Sequence, residues 1–435
     1  MLNNGFETLS IHAGFGGDPE SGSRAVPVHR TAAYLFKNTE QAAKLFNLEE
    51  AGNIYTRLGN PTQNILEERM TALEGGAAAV ALASGTNAIF YAVINICAQG
   101  DEIAASKNLY GGTYTMFNDI LPSYGIKTRF FDLNDKTSLA KAVTEKTKLV
   151  FTETIGNPAL DVADLALLAD TAHSSGLPLM VDNTFATPFL CRPIEHGADI
   201  VVHSLTKWIG GHGTGIGGIV IDSGRFDWTG GKFPLMNEPD PSYHGLRYAL
   251  DLGEMNPIGY AMRLRLVPLR NLGGCISPDN VWLFLQGLET LALRMERHSE
   301  NALRAAEYLS EHSDVAWIRY PGLKGDPSEP LAKKYLGSPD GRNSGCGGMV
   351  VFGIKGGKKA GSRFINSLKL FSHLANVGDA KSLAIHPAST THAQLTPDAL
   401  SEAGVGEDLI RLSVGIESID DILSDLKQAL DAAAK

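Results

Sequence analysis

Short β-rich runs alternate with helical patterns from about Val80 onward, and this alternation constrains the fold more than any other feature of the chain. One helical stretch, DVADLALLADTAHSSG, ends at Gly176, a residue typical of a helix C-terminus. Strands that alternate with helices predict an α/β fold, in which helices cover both faces of a mainly parallel sheet. Ligands of such sheets bind at the carboxyl ends of the strands, so chemistry is expected there. The predicted strands are AVALAS, DEIAAS, TRFFD, KLVFTE, LPLMVDN and DIVVHS.

The chain beyond this sheet predicts a second, smaller α+β domain. Ser277 and Pro278 form a favourable helix start, an N-cap residue followed by proline, and they open an amphipathic run to about His312. The runs GGMVVFGI and LIRLSVG are predicted strands. The final helix is predicted to begin at Ser418, with Asp421 completing a capping box.

Composition argues against several classes of function. The net charge of −10 argues against a nucleic-acid or anionic-membrane partner. Four scattered cysteines without a C-x-x-C pair argue against a zinc site and a disulfide scaffold, and favour reduced thiols in the cytoplasm. The opening MLNNGFETLS lacks a signal-peptide pattern. Residues 77–98 carry no charge, but SGTN in their middle predicts a strand, a turn and a helix instead of a membrane span.

A metal site is not expected either. His386 and His392 are imidazoles in one segment, but no carboxylate or thiol is spaced to complete a metal site with them. We therefore predict a packing or hydrogen-bonding role for both histidines.

The segment HSLTKW places reactive groups at the end of the predicted strand DIVV. Its Ser204 and Thr206 hydroxyls lie beside the amine of Lys207. Two hydroxyls and an amine suit a cofactor that carries both a phosphate and an aldehyde, such as pyridoxal 5′-phosphate (PLP). A solvated surface lysine is the simpler interpretation of this motif taken alone.

The segment VDNTFATP places a carboxylate, Asp182, at the end of the apolar strand LPLMV. A carboxylate there is costly unless it is paired or hydrogen-bonded. A protonated pyridine nitrogen is a fitting partner, because the ion pair lets the ring accept electrons. A carboxylate that caps a nearby turn is an equally good interpretation of the motif alone.

Two strand–helix junctions are further candidates. In ASGTNA, Gly85 and Thr86 open a helix, whose free N–H groups and dipole can bind a phosphate. In NLYGGT, the ring of Tyr110 could stack on a flat cofactor. An ordinary turn and a packing tyrosine are the alternatives.

A third glycine pattern is misleading. Gly213, Gly215 and Gly218 match G-x-G-x-x-G, but a dinucleotide fingerprint must follow a strand and open a helix. Here the glycines lead into GIVIDSG, which predicts a strand. We therefore reject an NAD-dependent dehydrogenase.

Taken in order, ASGTN, NLYGGT, ETIGNP, VDNTFATP and HSLTKW resemble the Cys/Met-metabolism family of PLP enzymes, from IYTRLGNPT to LIRLSVGIE. The resemblance implies the PLP-dependent transferase fold type I, with a mainly parallel seven-stranded sheet, helices on both faces and a smaller α+β C-terminal domain. It also implies three parts: an N-terminal arm (1–60) that contacts a neighbouring subunit, a PLP-binding domain (61–285) with an insertion at about 224–274, and a C-terminal domain (286–435).

The resemblance assigns roles around the cofactor. Lys207 would bind the PLP aldehyde and later move protons, Asp182 would pair with the pyridine nitrogen, and Tyr110 would stack on the ring. Glu153 would support the site. The implied cofactor-binding residues are Ser84, Gly85, Thr86, Tyr110, Asn157, Asp182, Thr184, Ser204, Thr206, Lys207, Tyr55 and Arg57.

The resemblance also implies shared active sites. Tyr55 and Arg57 would reach the phosphate bound by a neighbouring subunit, with Tyr55 also acting in catalysis and substrate binding. Such sharing requires a homo-oligomer, which by resemblance is a tetramer built as a dimer of dimers. Arg411 would bind the substrate carboxylate, helped by Asn157 and Ser382.

Two features favour one branch of the family. The segment NVGDAKSLAIHPASTTH (376–392) and the insertion after Gly224 are similar to the O-acetylhomoserine sulfhydrylases, whereas cystathionine synthases and lyases carry a glycine-rich S-L-G-G segment. This implies γ-replacement, which converts O-acetylhomoserine and sulfide to homocysteine and acetate in methionine biosynthesis. The alternatives are a methionine γ-lyase, a cystathionine γ-synthase or lyase, and a binding protein without chemistry.

Overall fold

The computed structural model describes residues 4–341, 345–390 and 406–434 of the chain. Its strands are β1 Ala78–Leu82, β2 Glu102–Ser106, β3 Lys127–Phe131, β4 Thr147–Glu153, β5 Leu179–Asp182, β6 Ile200–Ser204, β7 Gly218–Asp222, β8 Val315–Arg319, β9 Met349–Ile354, β10 Ser372–His373, β11 Leu383–Ile385 and β12 Leu409–Ser413.

Its α-helices are α1 Phe6–His12, α2 Thr39–Phe46, α3 Pro61–Glu74, α4 Gly85–Ile94, α5 Gly111–Thr115, α6 Ser138–Ala142, α7 Leu165–Ser174, α8 Thr187–Leu190, α9 Pro234–Asn237, α10 Gly259–Leu264, α11 Arg270–Leu272, α12 Pro278–Glu289, α13 Leu291–Ser310, α14 Glu329–Tyr335, α15 Gly357–Ser367 and α16 Ile419–Ala433. Short 3-10 turns lie at Leu121–Tyr124, Pro193–His196, Gly253–Ile258 and Pro387–Ser389, and π-turns at Met116–Ile120 and Arg265–Leu269.

The first seven strands form one sheet in the order β1-β7-β6-β5-β4-β2-β3. Strand β7 is antiparallel to β1 and β6, and the other neighbours are parallel. This confirms the predicted α/β class and the mainly parallel seven-stranded sheet. Because the glycine-rich turn before β7 leads into a strand, the rejection of the dinucleotide fingerprint is also confirmed.

Apolar side chains cover both faces of this sheet. Along β1, Ala79 and Ala81 belong to one buried layer, and Val80 and Leu82 belong to the other. This alternation follows from the two-residue period of a strand. The insertion at about 224–274 packs on the second face through residues buried in the same chain: Trp228, Phe233, Met236, Tyr243, Tyr248 and Tyr260.

The smaller sheet has the order β10-β11-β12-β9-β8 and confirms the predicted α+β C-terminal domain. It is antiparallel apart from the pair β10–β11. Helices α13, α15 and α16 pack around it. Of the helices in the described ranges, none is long and apolar enough to cross a membrane.

The N-terminal arm has two parts. Helix α1 packs on its own chain, where the Phe6 ring lies edge-on to Phe189 with centroids 5.3 Å apart. Further along, Leu35 is fully exposed, and Phe36 and Tyr55 are also exposed. The arm therefore presents apolar side chains outward from the single chain.

The predicted helix start at Ser277 and the amphipathic run are confirmed, but the predicted capping box at Ser418 is wrong. The amphipathic run after Ser277 is two helices, α12 and α13, because the backbone leaves helical geometry at Thr290. The Gly287 carbonyl accepts the N–H of Thr290 at 3.3 Å and a second hydrogen bond of 2.6 Å from the guanidinium of Arg294. The capping box at Ser418 does not form, since that side chain makes no capping bond and Asp421 is shorter than the usual glutamate.

Arg294 connects this helix break to the segment that follows Lys207. Its guanidinium is buried and donates to the carbonyl oxygens of Trp208 at 2.6 Å, Ile209 at 3.2 Å and Gly287 at 2.6 Å. These carbonyls are the partners that hold the charge inside the protein. The contact therefore attaches the C-terminal domain to the turn that carries the lysine.

We expect Arg294→Met to lower the free energy of unfolding by about 3 kcal/mol or more, because buried carbonyls lose their donors. Urea denaturation would measure the change. The matched control is Arg297→Met on the same helix, where the side chain is 54% exposed. That control should change stability by less than about 0.5 kcal/mol. Equal losses in the two variants would contradict a structural role for Arg294.

Candidate active site

A cleft of about 260 Å³ lies at the carboxyl ends of β4, β5 and β6 and at the start of α4. This is the edge where ligands of parallel sheets bind. The cleft brings together most of the predicted site residues, which are separated by up to several hundred positions in the chain. It is lined by Ser84, Gly85, Thr86, Ile89, Tyr110, Glu153, Ile155, Asn157, Asp182, Thr184, Phe185, Ser204, Thr206, Lys207, Ile216, Ala375, Asn376, Val377 and Arg411.

Lys207 extends into the cleft from the turn after β6. Its Nζ donates a hydrogen bond of 2.7 Å to Oδ1 of Asn376. Burial, together with a smaller effect of the nearby charge of Arg411, lowers the pKa of Lys207 to about 8. About a tenth of this amine is therefore neutral, and so nucleophilic and basic, at pH 7, whereas a solvated lysine is neutral in fewer than about one molecule in a thousand.

Asp182 ends β5, and Thr184 fixes its surroundings. The Asp182 Oδ1 accepts the Thr184 N–H at 2.9 Å, and the Thr184 Oγ1 accepts the Ser204 N–H at 2.8 Å. Thr184 thus joins the ends of β5 and β6. Burial raises the pKa of Asp182, so a cationic partner in the cleft would stabilise its ionised form.

The start of α4 approaches β6 and β7 without intervening side chains. A Cβ on Gly85 would lie 2.6 Å from Cβ of Ser204, and a Cβ on Gly218 would lie 2.1 Å from the Ser84 carbonyl oxygen. Glycine is therefore required at both positions. The Ser84 Oγ accepts the Asn87 N–H at 3.1 Å and caps the helix, so the first N–H groups of α4 remain for a ligand.

Arg411 reaches the opposite side of the cleft from β12 of the C-terminal domain. Its Nη1 donates to Oδ1 of Asn157 at 3.2 Å. Burial lowers the pKa of Arg411 to about 10, which still leaves the guanidinium charged at neutral pH. A half-buried arginine held by a neutral amide can exchange that contact for a substrate carboxylate.

Three predicted residues do not line the cleft of the single chain. Tyr55 is 42% exposed, and the guanidinium carbon of Arg57 lies 5.3 Å from the centre of its ring. Ser382 is fully buried behind β12, where its hydroxyl donates to Glu417 and accepts the N–H of Gly415. The family pattern predicted that Ser382 helps Arg411 to bind the substrate carboxylate, and in the single chain its hydrogen bonds lie within the C-terminal domain.

Sequence reasoning missed Asn376 as a site residue. The residue opens the segment 376–392, which was used only to choose a branch of the family, and it lies in a loop between β10 and β11. No local pattern predicts that this loop meets Lys207. The apolar walls were missed for the same reason, and they are formed by Ile89, Ile155, Phe185, Ile216, Ala375 and Val377.

Among the described residues, no group of histidines, cysteines and carboxylates could hold a metal ion. His386 bonds to Oγ of Ser389 at 2.7 Å and to the Glu407 carbonyl at 2.8 Å, a packing role. His392 lies outside the described residues.

The cleft has the donor set that PLP requires. A lysine amine with a lowered pKa can bind the aldehyde, the carboxylate at the end of β5 can pair with a ring cation, and the helix start beside two hydroxyl side chains can hold the phosphate. The close approach of Gly85 to Ser204 brings the helix start and the hydroxyl group of Ser204 together. The fold and the cleft together define a PLP-dependent enzyme of fold type I.

Comparisons with known proteins agree with this class of enzyme. The family model described as Cys/Met metabolism PLP-dependent enzyme matches residues 7–431. The chain is 52% identical to the O-acetyl-L-homoserine sulfhydrylase of Leptospira meyeri, over 98% of this chain and 96% of that protein. It is 50% identical to the homocysteine synthase of Schizosaccharomyces pombe, over 98% of both chains. The chain belongs to the Cys/Met-metabolism family of PLP-dependent enzymes, and its cofactor is PLP.

Solved structures give the same result. A Campylobacter jejuni protein described as an O-acetylhomoserine (thiol)-lyase, which holds N′-pyridoxyl-lysine-5′-monophosphate, superposes with a TM-score of 0.93 at 42% identity, covering 98% of this chain and 100% of that one. The metB protein of Corynebacterium glutamicum superposes with a TM-score of 0.83 at 34% identity, covering 99% and 98%.

We expect Gly85→Ala to weaken PLP binding at least about tenfold, because the new Cβ pushes α4 away from Ser204 and separates the phosphate-binding groups. Titration of the apoprotein with PLP would give the dissociation constant. Gly230→Ala is the control, since a Cβ at that position meets nothing within 4 Å. Unchanged binding in Gly85→Ala would contradict the placement of the phosphate at this helix start.

We expect the amine of Lys207 in the apoprotein to become reactive with a midpoint near pH 8, because burial lowers its pKa. The rate of acetylation of the Lys207 peptide by acetic anhydride, followed by mass spectrometry across pH, measures it. In Arg411→Met the midpoint should move upward, since a repelling charge is removed. Arg304→Met, on the exposed side of α13, is the control. A midpoint at the value of a solvated lysine, about 10.4, would refute the burial argument.

Proposed function

We propose that this chain is an O-acetylhomoserine sulfhydrylase, which converts O-acetylhomoserine and sulfide to homocysteine and acetate. The observation that carries the proposal is the joining of Lys207, Asp182 and Arg411 in one cleft, with Arg411 held by a neutral amide. That set suits an amino acid substrate with a free carboxylate. The names of the Leptospira meyeri and Schizosaccharomyces pombe relatives support the choice of reaction.

The residues around the cleft then take the following roles. Arg411 binds the substrate α-carboxylate in a bidentate pair, and Asn157 orients that guanidinium. PLP, when bound, supplies an electrophilic aldehyde and a ring that accepts electrons from the substrate. Asp182 keeps the ring nitrogen protonated, and the ring of Tyr110 packs against the cofactor face. The phosphate is held by the first N–H groups of α4 and by the hydroxyls of Ser84, Thr184, Ser204 and Thr206.

Lys207 moves the protons. Its neutral amine accepts the proton from the substrate α-carbon, and a second proton leaves the β-carbon before acetate departs from the γ-carbon. Sulfide adds at the γ-carbon, protons return to the β- and α-carbons, and homocysteine leaves. Tyr110 and Tyr55 position the leaving acetate.

The proposal extends to the assembly. The exposed Tyr55 and the half-buried Arg57 lie on an arm that presents further apolar side chains outward, which suits a contact with the cleft of a neighbouring subunit. The enzyme is then an obligatory homodimer with shared sites, and two dimers form a tetramer. We place it in the cytoplasm, where its four cysteines stay reduced.

Purified protein with PLP and O-acetylhomoserine is expected to form homocysteine from sulfide and little cystathionine from cysteine. Both products are quantified by chromatography. Lys207→Ala should lower turnover by about a thousandfold or more, since the base and the cofactor attachment are lost together. Cystathionine as the main product, or 2-oxobutanoate alone, would move the enzyme to a synthase or a lyase. Wild-type turnover by Lys207→Ala would refute the mechanism.

Shared sites predict complementation between two inactive variants. Arg57→Ala and Lys207→Ala, unfolded and refolded together in equal amounts, should recover about a quarter of the parent activity, because half of the dimers carry one intact site of two. Each variant refolded alone is the control. Lack of recovery, or a monomer by light scattering, would contradict the roles of Tyr55 and Arg57.

A further inference from the structure

Two carboxyl groups lie side by side at the edge of the main sheet. Glu153 is the last residue of β4 and Asp182 is the last residue of β5, and the two are register partners in the parallel ladder. Partners in register point to the same face of a sheet, and both side chains line the cleft. Two ionised carboxylates at such a separation repel each other strongly, so one of them is expected to stay neutral.

The cations of the cleft do not neutralise Glu153. Lys207 donates to Asn376 at 2.7 Å, and Arg411 donates to Asn157 at 3.2 Å. His203, on the same strand that precedes Lys207, acts electrostatically on Asp182. The charged and titratable groups that face Glu153 are thus Asp182, Lys207, Arg411 and the phenol of Tyr110, and among the described side chains none of the cations bonds to it.

The surroundings of Glu153 favour a neutral carboxyl. The residue is only 6% exposed, and both burial and the charge of Asp182 raise its pKa well above the ordinary value. The Glu153 Oε1 accepts the Tyr110 N–H at 2.7 Å, and the N–H of Asn157 also donates to this carboxyl. These two bonds lower the pKa of Glu153, but burial and the charge of Asp182 are the larger effects and raise it. A protonated carboxyl can accept both bonds through its carbonyl oxygen.

Those two N–H groups belong to the residues that shape the site. Tyr110 is the N-cap of α5, so its N–H has no partner within the helix. Asn157 holds the guanidinium of Arg411 through its side chain. One buried carboxyl therefore fixes both the ring that packs on the cofactor and the amide that orients the carboxylate-binding arginine.

We propose that Glu153 stays protonated in the holoenzyme at neutral pH and acts as a positioning residue, holding Tyr110 and Asn157 while Asp182 carries the single negative charge of the pair. The inference rests on the proposed pairing of Asp182 with the ring nitrogen of PLP. It separates two adjacent carboxyl groups by role: one is a neutral structural acceptor, and the other is the charged partner of the cofactor.

Infrared spectroscopy tests the protonation state directly. The difference spectrum between the parent holoenzyme and Glu153→Gln at neutral pH should contain the C=O stretch of a protonated carboxyl, which the variant lacks. The difference spectrum between the Glu153→Gln and Asp222→Asn variants assigns the band to Glu153. This comparison is needed because Asp222 is a second buried acid, whose pKa burial raises to about 7. A difference spectrum that shows the bands of an ionised carboxylate instead would overturn the proposal.

PLP affinity tests the positioning role, with the dissociation constant measured for each variant. Glu153→Ala leaves two N–H groups unpaired and should weaken PLP binding about tenfold. Glu153→Gln preserves a neutral acceptor and should restore affinity to within about threefold of the parent. Asp182→Asn should lose far more PLP affinity than Glu153→Ala. Asp222→Asn, outside the cleft, should bind PLP like the parent.

If Glu153→Gln bound PLP as weakly as Asp182→Asn, Glu153 would supply charge to the site. If Glu153→Ala bound PLP with the affinity of the parent, Glu153 would position nothing. Either result overturns the proposal. Neither measurement uses substrate, so a parent enzyme that makes no homocysteine would refute the proposed reaction and leave the finding on Glu153 intact.

Discussion

The parallel register of β4, β5 and β6 is the constraint on which the site depends. It places Glu153 opposite Asp182, and it brings the turn with Lys207 to the same edge of the sheet. A slip of one residue would move Asp182 to the other face. The next residue, Asn183, shows what that face contains: its amide donates at 2.9 Å to the buried Glu74 and at 2.9 Å to the Cys191 carbonyl, within the core.

Close backbone contact between α4 and the sheet is the second requirement. The two glycines at this junction, Gly85 and Gly218, allow the helix start to touch β6 and β7. The N-terminal end of the helix dipole then faces the same cleft as the lysine amine. The helix start and the lysine turn are therefore held at a set distance by the backbone itself, which is more rigid than side chains.

The electrostatics of the cleft suit exchange of ligands. Both cations are held by amide oxygens, Lys207 by Asn376 and Arg411 by Asn157, instead of by carboxylates. A neutral amide holds a cation in place without competing strongly with an incoming charged group. The asparagines come from different domains, since Asn376 follows β10 and Asn157 follows β4. The geometry of the catalytic groups thus depends on how the two domains pack, a contact that the buried Arg294 also secures.

The sequence by itself determined where the strands end and which residues lie at those ends. The structure places Asp182 at the end of a strand, Lys207 in the turn after a strand and Gly85 at the start of a helix, as the sequence predicts, because the two-residue period of a strand and the turn that follows it are local properties. Tertiary structure alone decided the partners from distant parts of the chain. It brought Asn376 to Lys207, kept Ser382 in the C-terminal core and broke the helix at Thr290 where Arg294 takes the Gly287 carbonyl. Such contacts arise from packing between domains, and no periodicity within one segment records which distant segment will meet it.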